Sequence, residues 1–133
     1  MQNHVLRMVG KLKEKKFPVN AGGFLNKNDS ISLLAWADYV LIPSRIESIP
    51  VIFSDAIKCR CPVVSMPVGD LSRLVQENSV GILAKKVTSL DFANAIKESI
   101  RIPPESFLNN LNKTSVLFDI SKISNLLIEN IFR

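Results

Sequence analysis

Two carboxylates near the middle of the chain have the clearest capacity for chemistry. Glu47 follows a short apolar segment, and Asp55 falls eight positions later within a helical pattern. Such side chains accept hydrogen bonds from the hydroxyl groups of a ligand. From the spacing alone, Glu47 could equally be a solvated loop residue, and Asp55 an exposed helix carboxylate paired with Lys58. The surrounding elements are needed to separate these readings.

The two carboxylates lie in a stretch, residues 39–70, that reads as strand, loop, helix, strand and loop. Residues 39–42 are continuously apolar, which predicts a strand covered on both faces, as in a parallel sheet. Pro50 suits the first turn of the helix that follows, and residues 62–65 predict the next buried strand. Ligands of parallel sheets bind beyond the carboxyl ends of the strands. The loops at residues 43–49 and 67–70 are therefore expected to face one crevice.

The rest of the chain continues the alternation of strands and helices. Further strands are predicted at residues 19–24 and 81–84, and helices at 3–16, 71–76 and 89–100, with a short one after Pro104 and a last one at 121–132. A further short helix begins after an N-cap at Asp29 or Ser30, with Ile31, Leu34 and Ala35 inward and Trp36 against the core. The buried face of helix 89–100 is expected to carry Phe92, Ala93, Ile96 and Ile100, and Thr88 or Ser89 to cap it. This pattern predicts an α/β fold with a parallel sheet flanked by helices.

Composition narrows the class of protein. The chain has 133 residues with a net charge of +5, largely from a basic run before residue 17. That run reads as the solvated face of a helix, and without interleaved aromatic residues it gives no support for nucleic-acid binding. No apolar run approaches the roughly 18 residues of a membrane span, and no secretory signal is evident, so a cytoplasmic location is expected. Attraction of the basic face or of the amphipathic last helix to a membrane surface stays open.

The chain has two cysteines, Cys59 and Cys61, at positions too close together for an ordinary disulfide and too few for a zinc site. They are expected to be small buried residues near a helix end.

The motifs of the central stretch occur in a recognisable order. They are PSRIESIPVIFSDAIKCRCPVV, then PVGDLSRLV, then SVGILAKK. Over residues 19–100 this order resembles the C-terminal donor-binding domain of GT-B glycosyltransferases of the family 4, or group 1, type. The resemblance implies a Rossmann-like sheet forming an incomplete C-terminal half of a GT-B fold, with residues 1–133 as a single partial domain.

The same resemblance implies an activity. The activity is the transfer of a sugar, with retention, from a nucleoside diphosphate sugar to a saccharide or lipid-linked acceptor, without a metal or other cofactor. The resemblance also implies a cytoplasmic enzyme of polysaccharide biosynthesis, and leaves open a peripheral association with the inner membrane face.

The resemblance also assigns roles to residues. Glu47 would be the catalytic-site acid that binds the donor sugar, and Asp55 would hold the ribose hydroxyls. A helix N-terminus near residues 48–51 would offer amides to the diphosphate, for which Arg45 is a second candidate contact or simply a solvated arginine. The expected donor-binding set is Arg45, Glu47, Ser48, Ile49, Val51, Asp55, Gly69 and Asp70. In that set Gly69 lets the backbone approach the donor, and Asp70 stands where many relatives have a second glycine.

Three residues depart from the family pattern. Asp55 and Arg73 stand where relatives usually carry glutamate. Arg60 stands where a glycine commonly ends the helix in a left-handed conformation, so the arginine must either accept a strain of about 1 kcal/mol or end the helix differently. Nothing before residue 19 matches the two strands that carry the family's diphosphate-clamping arginine and lysine. Residues 19–24 are therefore expected to pair directly with residues 39–42.

Two other functional classes stay open. A non-catalytic, truncated remnant would act as a nucleotide-binding or interaction module, with self-association through an exposed sheet edge. A flavodoxin-like nucleotide binder would share the fold but leave Glu47 and Asp55 unexplained. If the chain is a glycosyltransferase, a separate N-terminal domain or chain is its expected partner, and alone it is expected to lack transfer activity.

Overall fold

Three short parallel strands form the sheet around which the described part of the protein is built. The computed structural model describes residues 25–119 and residue 124. The chain falls into two units, residues 1–30 and 31–133, and the sheet belongs to the second. The elements in order are α1 (Lys27–Trp36), β1 (Val40–Ile42), α2 (Val51–Lys58), β2 (Val63–Ser65), α3 (Gly69–Asn78), β3 (Gly81–Leu83), α4 (Ser89–Ser99), a 3₁₀ turn (Pro104–Phe107), α5 (Leu108–Ser115) and a second 3₁₀ turn (Val116–Phe118).

The strands lie in the sheet in the order β1-β2-β3, and both pairs are parallel. Val64 in the middle of β2 is in register with Leu41 on one side and Ile82 on the other. Every residue of β2 is buried, as expected for the central strand of a parallel sheet. The predicted α/β class, with helices flanking a parallel sheet, is confirmed.

Each crossover helix buries one face. In α2 the buried side chains are Phe53, Ala56 and Ile57, and in α3 they are Leu71, Leu74 and Val75. Both sets follow the three- and four-residue spacing of a single helical stripe. Helix α5 packs on α2 and α3, where its Leu111 is fully buried. The carboxyl-end loops therefore rest on helices that are fixed to one core.

Two helix starts show how the sequence sets the boundaries. Thr88 caps α4 as predicted, because its hydroxyl oxygen accepts a hydrogen bond from the Asp91 amide at 3.1 Å. The predicted cap of α1 at Asp29 or Ser30 is wrong. Asn26 takes that role, since its side-chain oxygen accepts from the Asp29 amide at 2.9 Å and its amide group donates to the Asp29 carboxylate at 2.7 Å. This reciprocal pair resembles a capping box and starts the helix three residues earlier.

Several predicted core residues are exposed. Leu34 is buried as predicted, but Ile31 and Ala35 are exposed, and Trp36 is 80% exposed rather than packed on the core. Helical spacing identifies residues that share a face, but it does not give the width of the face that is covered. Ile100, which is 81% exposed, lies just beyond the end of α4 and so leaves the buried stripe.

The expectation that β1 is covered on both faces is also wrong. Leu41 is 48% exposed, whereas Ile42 is buried. Within the described residues β1 is the terminal strand of the sheet, so its side chains have neighbouring strands on one side only. The predicted strand at residues 19–24, its pairing with residues 39–42, and the helices at residues 3–16 and 121–132 lie outside the described residues.

The ends of α2 and α3 are closed in the same way. Arg60 after α2 has a φ of 60°, and Ser79 after α3 has a φ of 49°. At α2 the Arg60 amide donates to Ile57 and the Cys61 amide to Ala56, the double hydrogen bond of a Schellman motif. Of the two expectations for Arg60, the left-handed conformation is therefore the one that the structure has.

Helix α5 reaches both of these helix ends. The Arg60 Nε donates to Asn112 Oδ1 at 2.6 Å, and Asn110 Nδ2 donates to the Ser79 carbonyl at 3.2 Å. The two asparagines are two positions apart on α5, so one short helix contacts the ends of two longer ones.

Two buried polar groups complete the core. Cys61 is a free, buried thiol that donates to the Ala37 carbonyl at 3.3 Å, and burial raises its pKa to about 11. Cys59 is also free but only half-buried, so the prediction of two small buried residues near a helix end is confirmed for Cys61 and only in part for Cys59. Ser65, at the end of β2, is fully buried, and its hydroxyl has no hydrogen-bond partner among the described residues.

Candidate functional site

The loops that follow β1 and β2 meet at the carboxyl edge of the sheet. Residues 43–50 connect β1 to α2, and residues 66–68 connect β2 to α3. The two strands are adjacent and parallel, so both loops leave the sheet at the same edge. The first two residues of α3 contact the first loop directly, so the expectation that these regions lie together is confirmed, and the crevice that they were expected to face stays a prediction.

The first contact is between the backbones of Gly69 and Glu47. Gly69 has a φ of 48°, a left-handed conformation that side chains disfavour. A methyl group added at Gly69 would overlap the Glu47 carbonyl oxygen and lie 3.1 Å from the Ser48 Cα. The glycine was expected to admit a donor molecule, but in the structure the space that it leaves is used by the neighbouring loop.

The second contact joins the next pair of residues. The Ser48 hydroxyl donates a hydrogen bond to Asp70 Oδ2 at 3.0 Å. Both residues are exposed, and Asp70 lies in the first turn of α3, where a carboxylate complements the positive end of the helix dipole. Consecutive residues on one loop therefore contact consecutive residues on the other.

Glu47 holds its carboxylate at the surface of this junction. The side chain is exposed, and its Oε1 accepts a long hydrogen bond of 3.5 Å from the Ser44 hydroxyl. At that length the bond constrains the carboxylate only weakly. The backbone of Glu47 is thus fixed against Gly69, while its carboxylate remains available to accept hydrogen bonds from a ligand.

The N-terminus of α2 lies at the end of the same loop. Pro50 occupies the N-cap position with φ −70° and ψ 144°, and it has no side-chain group that could cap the helix. The first helical amide belongs to Val51, whose side chain is 75% exposed, and Ile49 before the cap is 45% exposed. A helix start with free amides carries a partial positive charge that favours anions.

Asp55 lies one turn further along α2. It is four residues after Val51 and so shares the helix face turned away from Phe53, Ala56 and Ile57. Within the described residues it has no ion pair with Lys58, and the only salt bridge joins Arg73 to Glu77. The pairing of Asp55 with Lys58 is therefore absent.

The Asp55 carboxylate affects the pKa of a neighbouring thiol, that of Cys59. It lies one helical turn before Cys59, whose pKa is raised mainly by burial and further by the negative charge of Asp55.

The structure thus gathers some of the predicted residues and leaves others apart. Glu47 and Ser48 contact Gly69 and Asp70 directly, and the α2 start with Ile49 and Val51 follows in the same loop. Arg45 is exposed in this loop and forms no salt bridge in the described part of the chain.

Sequence reasoning missed the pairing of Ser48 with Asp70 and the contact of Ser44 with Glu47. The signal for the first pairing was present, because both loops were expected at one edge of the sheet. The sequence did not show which residue of one loop lies opposite which residue of the other, because that depends on where Gly69 turns the chain.

A groove of about 590 Å³ lies elsewhere, along the free edge of β3. Its lining includes Pro67, Gly81, Leu83 and Phe107, and it contains none of the predicted donor-binding residues. It forms because β3 has a neighbouring strand on one side only among the described residues. Most side chains of the candidate site are exposed.

The described residues contain neither a candidate metal cluster nor a candidate membrane span. No three His, Cys, Asp or Glu side chains of residues 25–119 and 124 cluster in a way that could hold a metal ion. In the same part of the chain no helix is long and apolar enough to cross a membrane.

A parallel three-stranded sheet flanked by helices is consistent with a partial Rossmann-like domain. The family model described as "Glycosyl transferases group 1" matches residues 3–101. The chain belongs to this family. The sequence motifs placed the start of the resemblance at residue 19, and the family match begins sixteen residues earlier.

Two curated proteins illustrate the relationship. An α-D-kanosaminyltransferase of Streptomyces kanamyceticus is 22% identical over 85 residues, which cover 64% of this chain and 22% of that protein. A D-inositol 3-phosphate glycosyltransferase of Paenarthrobacter aurescens is 36% identical over 69 residues, which cover 50% of this chain and 17% of that protein. The chain therefore spans about a fifth of the length of these relatives.

Proposed function

We propose that this chain is the donor-binding portion of a retaining, metal-independent glycosyltransferase that uses a nucleoside diphosphate sugar. The observation that carries the proposal is the packing of the Glu47 backbone against Gly69. It gives the acidic loop a defined place at the carboxyl edge of the sheet, where ligands of parallel α/β folds bind. Membership of the group 1 family supports the same chemistry.

Glu47 and Asp55 supply the hydroxyl-binding half of the proposed site. Glu47 accepts hydrogen bonds from the donor sugar and is the proposed catalytic residue, because its exposed carboxylate has only one long internal hydrogen bond. Asp55 accepts from the ribose hydroxyls, and the absence of an ion pair with Lys58 leaves its carboxylate free for that role in the described structure. Each charge-assisted hydrogen bond contributes about 1.5 to 3 kcal/mol.

The start of α2 supplies the diphosphate-binding half. The amide of Val51 and the helix dipole favour negative charge, and Pro50 leaves this end without a side-chain cap. Arg45 in the same loop adds a positive charge. Stabilising the diphosphate as it leaves lowers the barrier to transfer, since negative charge develops there in the transition state.

The acceptor site belongs to a partner in this proposal. The relatives are about five times longer than the segments matched here, so a separate N-terminal domain or chain supplies the acceptor pocket. The acceptor is a saccharide or a lipid-linked saccharide, as in polysaccharide biosynthesis at the inner face of a membrane. Binding without transfer is the expected behaviour of the isolated chain.

Calorimetric titration tests the donor-binding claim. The full chain is titrated with UDP, GDP and ADP and with UDP-glucose, GDP-mannose and ADP-glucose. At least one nucleotide should bind, and Asp55→Ala should weaken it by about 1 to 3 kcal/mol through loss of the ribose contact. The matched control is Glu98→Ala in the last turn of α4, which runs back from the carboxyl edge, and it should leave the affinity unchanged. No heat at millimolar nucleotide, with circular dichroism showing a folded chain, would refute the proposal.

The groove along β3 favours a second candidate function, a non-catalytic interaction module. Within residues 25–119 β3 pairs with a strand on one side only, and a sheet edge of this kind is suited to pairing with another chain, including a second copy. Sedimentation equilibrium distinguishes the two. A concentration-dependent dimer that does not bind any nucleotide would favour this candidate over donor binding.

A further inference from the structure

The two loops of the candidate site contact each other through consecutive residues. The Glu47 carbonyl occupies the space beside Gly69, and the Ser48 hydroxyl bonds to the Asp70 carboxylate one step further along both loops. A single contact would leave one loop free to pivot about it. Two contacts in succession fix both the position and the direction of the backbone that carries Glu47.

The chemistry of the second contact separates two roles for Asp70. A hydroxyl donor and an ionised carboxylate make a charge-assisted hydrogen bond, but at an exposed site it adds little to global stability. If Asp70 bound a donor directly, its negative charge would be the functional property. If it only holds Ser48, an uncharged acceptor in the same place would serve equally well.

We propose that the Ser48–Asp70 hydrogen bond is a latch that positions Glu47 for the sugar of the donor, with Ser48 and Asp70 acting as positioning residues. The proposal rests on the proposed function of Glu47. It gives Asp70 a different role from direct donor binding. In this proposal Gly69 and Asp70 have a common role. Gly69 leaves space for the Glu47 carbonyl, and Asp70 holds the next residue, Ser48, by a hydrogen bond.

The latch should affect the sugar and not the nucleotide. Val51 and Asp55, which are proposed for the nucleotide, lie on α2, which is held in the core through Phe53, Ala56 and Ile57 independently of the latch. Arg45 is the one proposed nucleotide contact in the loop. Glu47 lies in the loop before that helix, where the contacts with Gly69 and Asp70 hold the backbone. Opening the latch should therefore lower affinity for a nucleotide sugar and leave affinity for the parent nucleoside diphosphate unchanged.

Two pairs of variants test the latch. Ser48→Ala removes the donor and Asp70→Gly removes the acceptor, whereas Ser48→Thr keeps a hydroxyl and Asp70→Asn keeps an acceptor oxygen without the charge. Each full-length variant is titrated with UDP, GDP and ADP and with UDP-glucose, GDP-mannose and ADP-glucose. The first pair should lose about two- to tenfold in affinity for the nucleotide sugar that binds, with its nucleoside diphosphate unaffected. The second pair should match the unmodified chain.

A purely structural role would not separate the sugar from the nucleotide in this way. Equal loss for both ligands, or a loss with Asp70→Asn as large as with Asp70→Gly, would overturn the latch, the second result by pointing to a direct role of the charge. Wild-type affinity for the nucleotide sugar in Ser48→Ala would overturn it as well.

Hydrogen exchange tests the latch without any ligand and so separates its failure from failure of the proposed function. Amides of residues 44–49 should exchange about threefold faster or more in Ser48→Ala and Asp70→Gly, while those of β2 stay unchanged. Unchanged exchange in the loop overturns the latch. If the unmodified chain binds no nucleotide sugar, the proposed function and the positioning role fail together, and hydrogen exchange alone decides whether the loops are joined.

Discussion

Replacing Gly69 with alanine is the sharpest test of how the two site loops are joined. The left-handed conformation of Gly69 should cost an alanine about 1 to 2 kcal/mol. Its methyl group would also overlap the Glu47 carbonyl, and overpacking of this kind costs about 1 to 3 kcal/mol. The free energy of unfolding should therefore fall by about 2 to 5 kcal/mol.

The chain contains its own reference for the conformational part of this cost. Ser79, at the other end of α3, already has a left-handed conformation without being glycine. Ser79→Gly should raise the free energy of unfolding by about 0.5 to 1 kcal/mol, since glycine is favoured at this helix-end position. Comparing the two variants separates backbone strain from overlap with the neighbouring loop.

Urea denaturation followed by circular dichroism measures both changes, with an unchanged m-value showing that the transition is comparable. Gly69→Ala should also raise hydrogen exchange in residues 44–49, because the loop must move to admit the methyl group. A loss of stability of only about 1 kcal/mol, no larger than the conformational cost, would show that the Glu47 carbonyl does not lie against Gly69.

Three further predictions concern the supporting structure. Arg60→Gly should stabilise the chain by up to about 1 kcal/mol in urea denaturation, because relief of the left-handed strain exceeds the loss of an exposed hydrogen bond to Asn112, whereas Arg60→Ala should destabilise it. Ser65→Ala should stabilise it by about 1 kcal/mol, since it removes a buried hydroxyl without a partner in the described residues, and a loss of stability would contradict this. Burial raises the pKa of Cys61 from 9.0 to about 11. The stability that the folded state gains by holding this thiol in its neutral form is therefore fully present below pH 9 and is lost as the pH rises toward 11. Stability should fall by up to about 3 kcal/mol over that range, and Cys61→Ala should show a smaller fall.

The sheet was predictable from the sequence because its signals are local. The apolar runs that became β1, β2 and β3 are bounded by Pro, Gly and polar residues, and the helices between them carry single apolar stripes. The exposure of Trp36, Leu41 and Ile100 was not predictable. Burial at the margin of a core depends on which elements lie beyond it, and no local pattern contains that information.

The candidate site was predictable in place but not in its contacts. Glu47, Gly69 and Asp70 were expected at one edge because they follow neighbouring parallel strands. Their pairing depends on the turn that Gly69 makes with its positive φ. That turn determines which residues of the two segments lie opposite each other. Asp70 illustrates the point, because the family resemblance placed it in the donor-binding set and its position gives it a hydrogen-bond partner, Ser48, within the protein.

The two asparagines of α5 bear on how the site can move. Asn112 bonds to Arg60 and Asn110 to Ser79, so the ends of α2 and α3 that lie farthest from the candidate site are tied to one helix, which Leu111 anchors in the core. Helix α5 therefore links the carboxyl-terminal ends of α2 and α3, so a displacement of one of these helices should be passed on to the other. In the proposed enzyme, the loop that carries Glu47 and the start of α3 should accordingly move together.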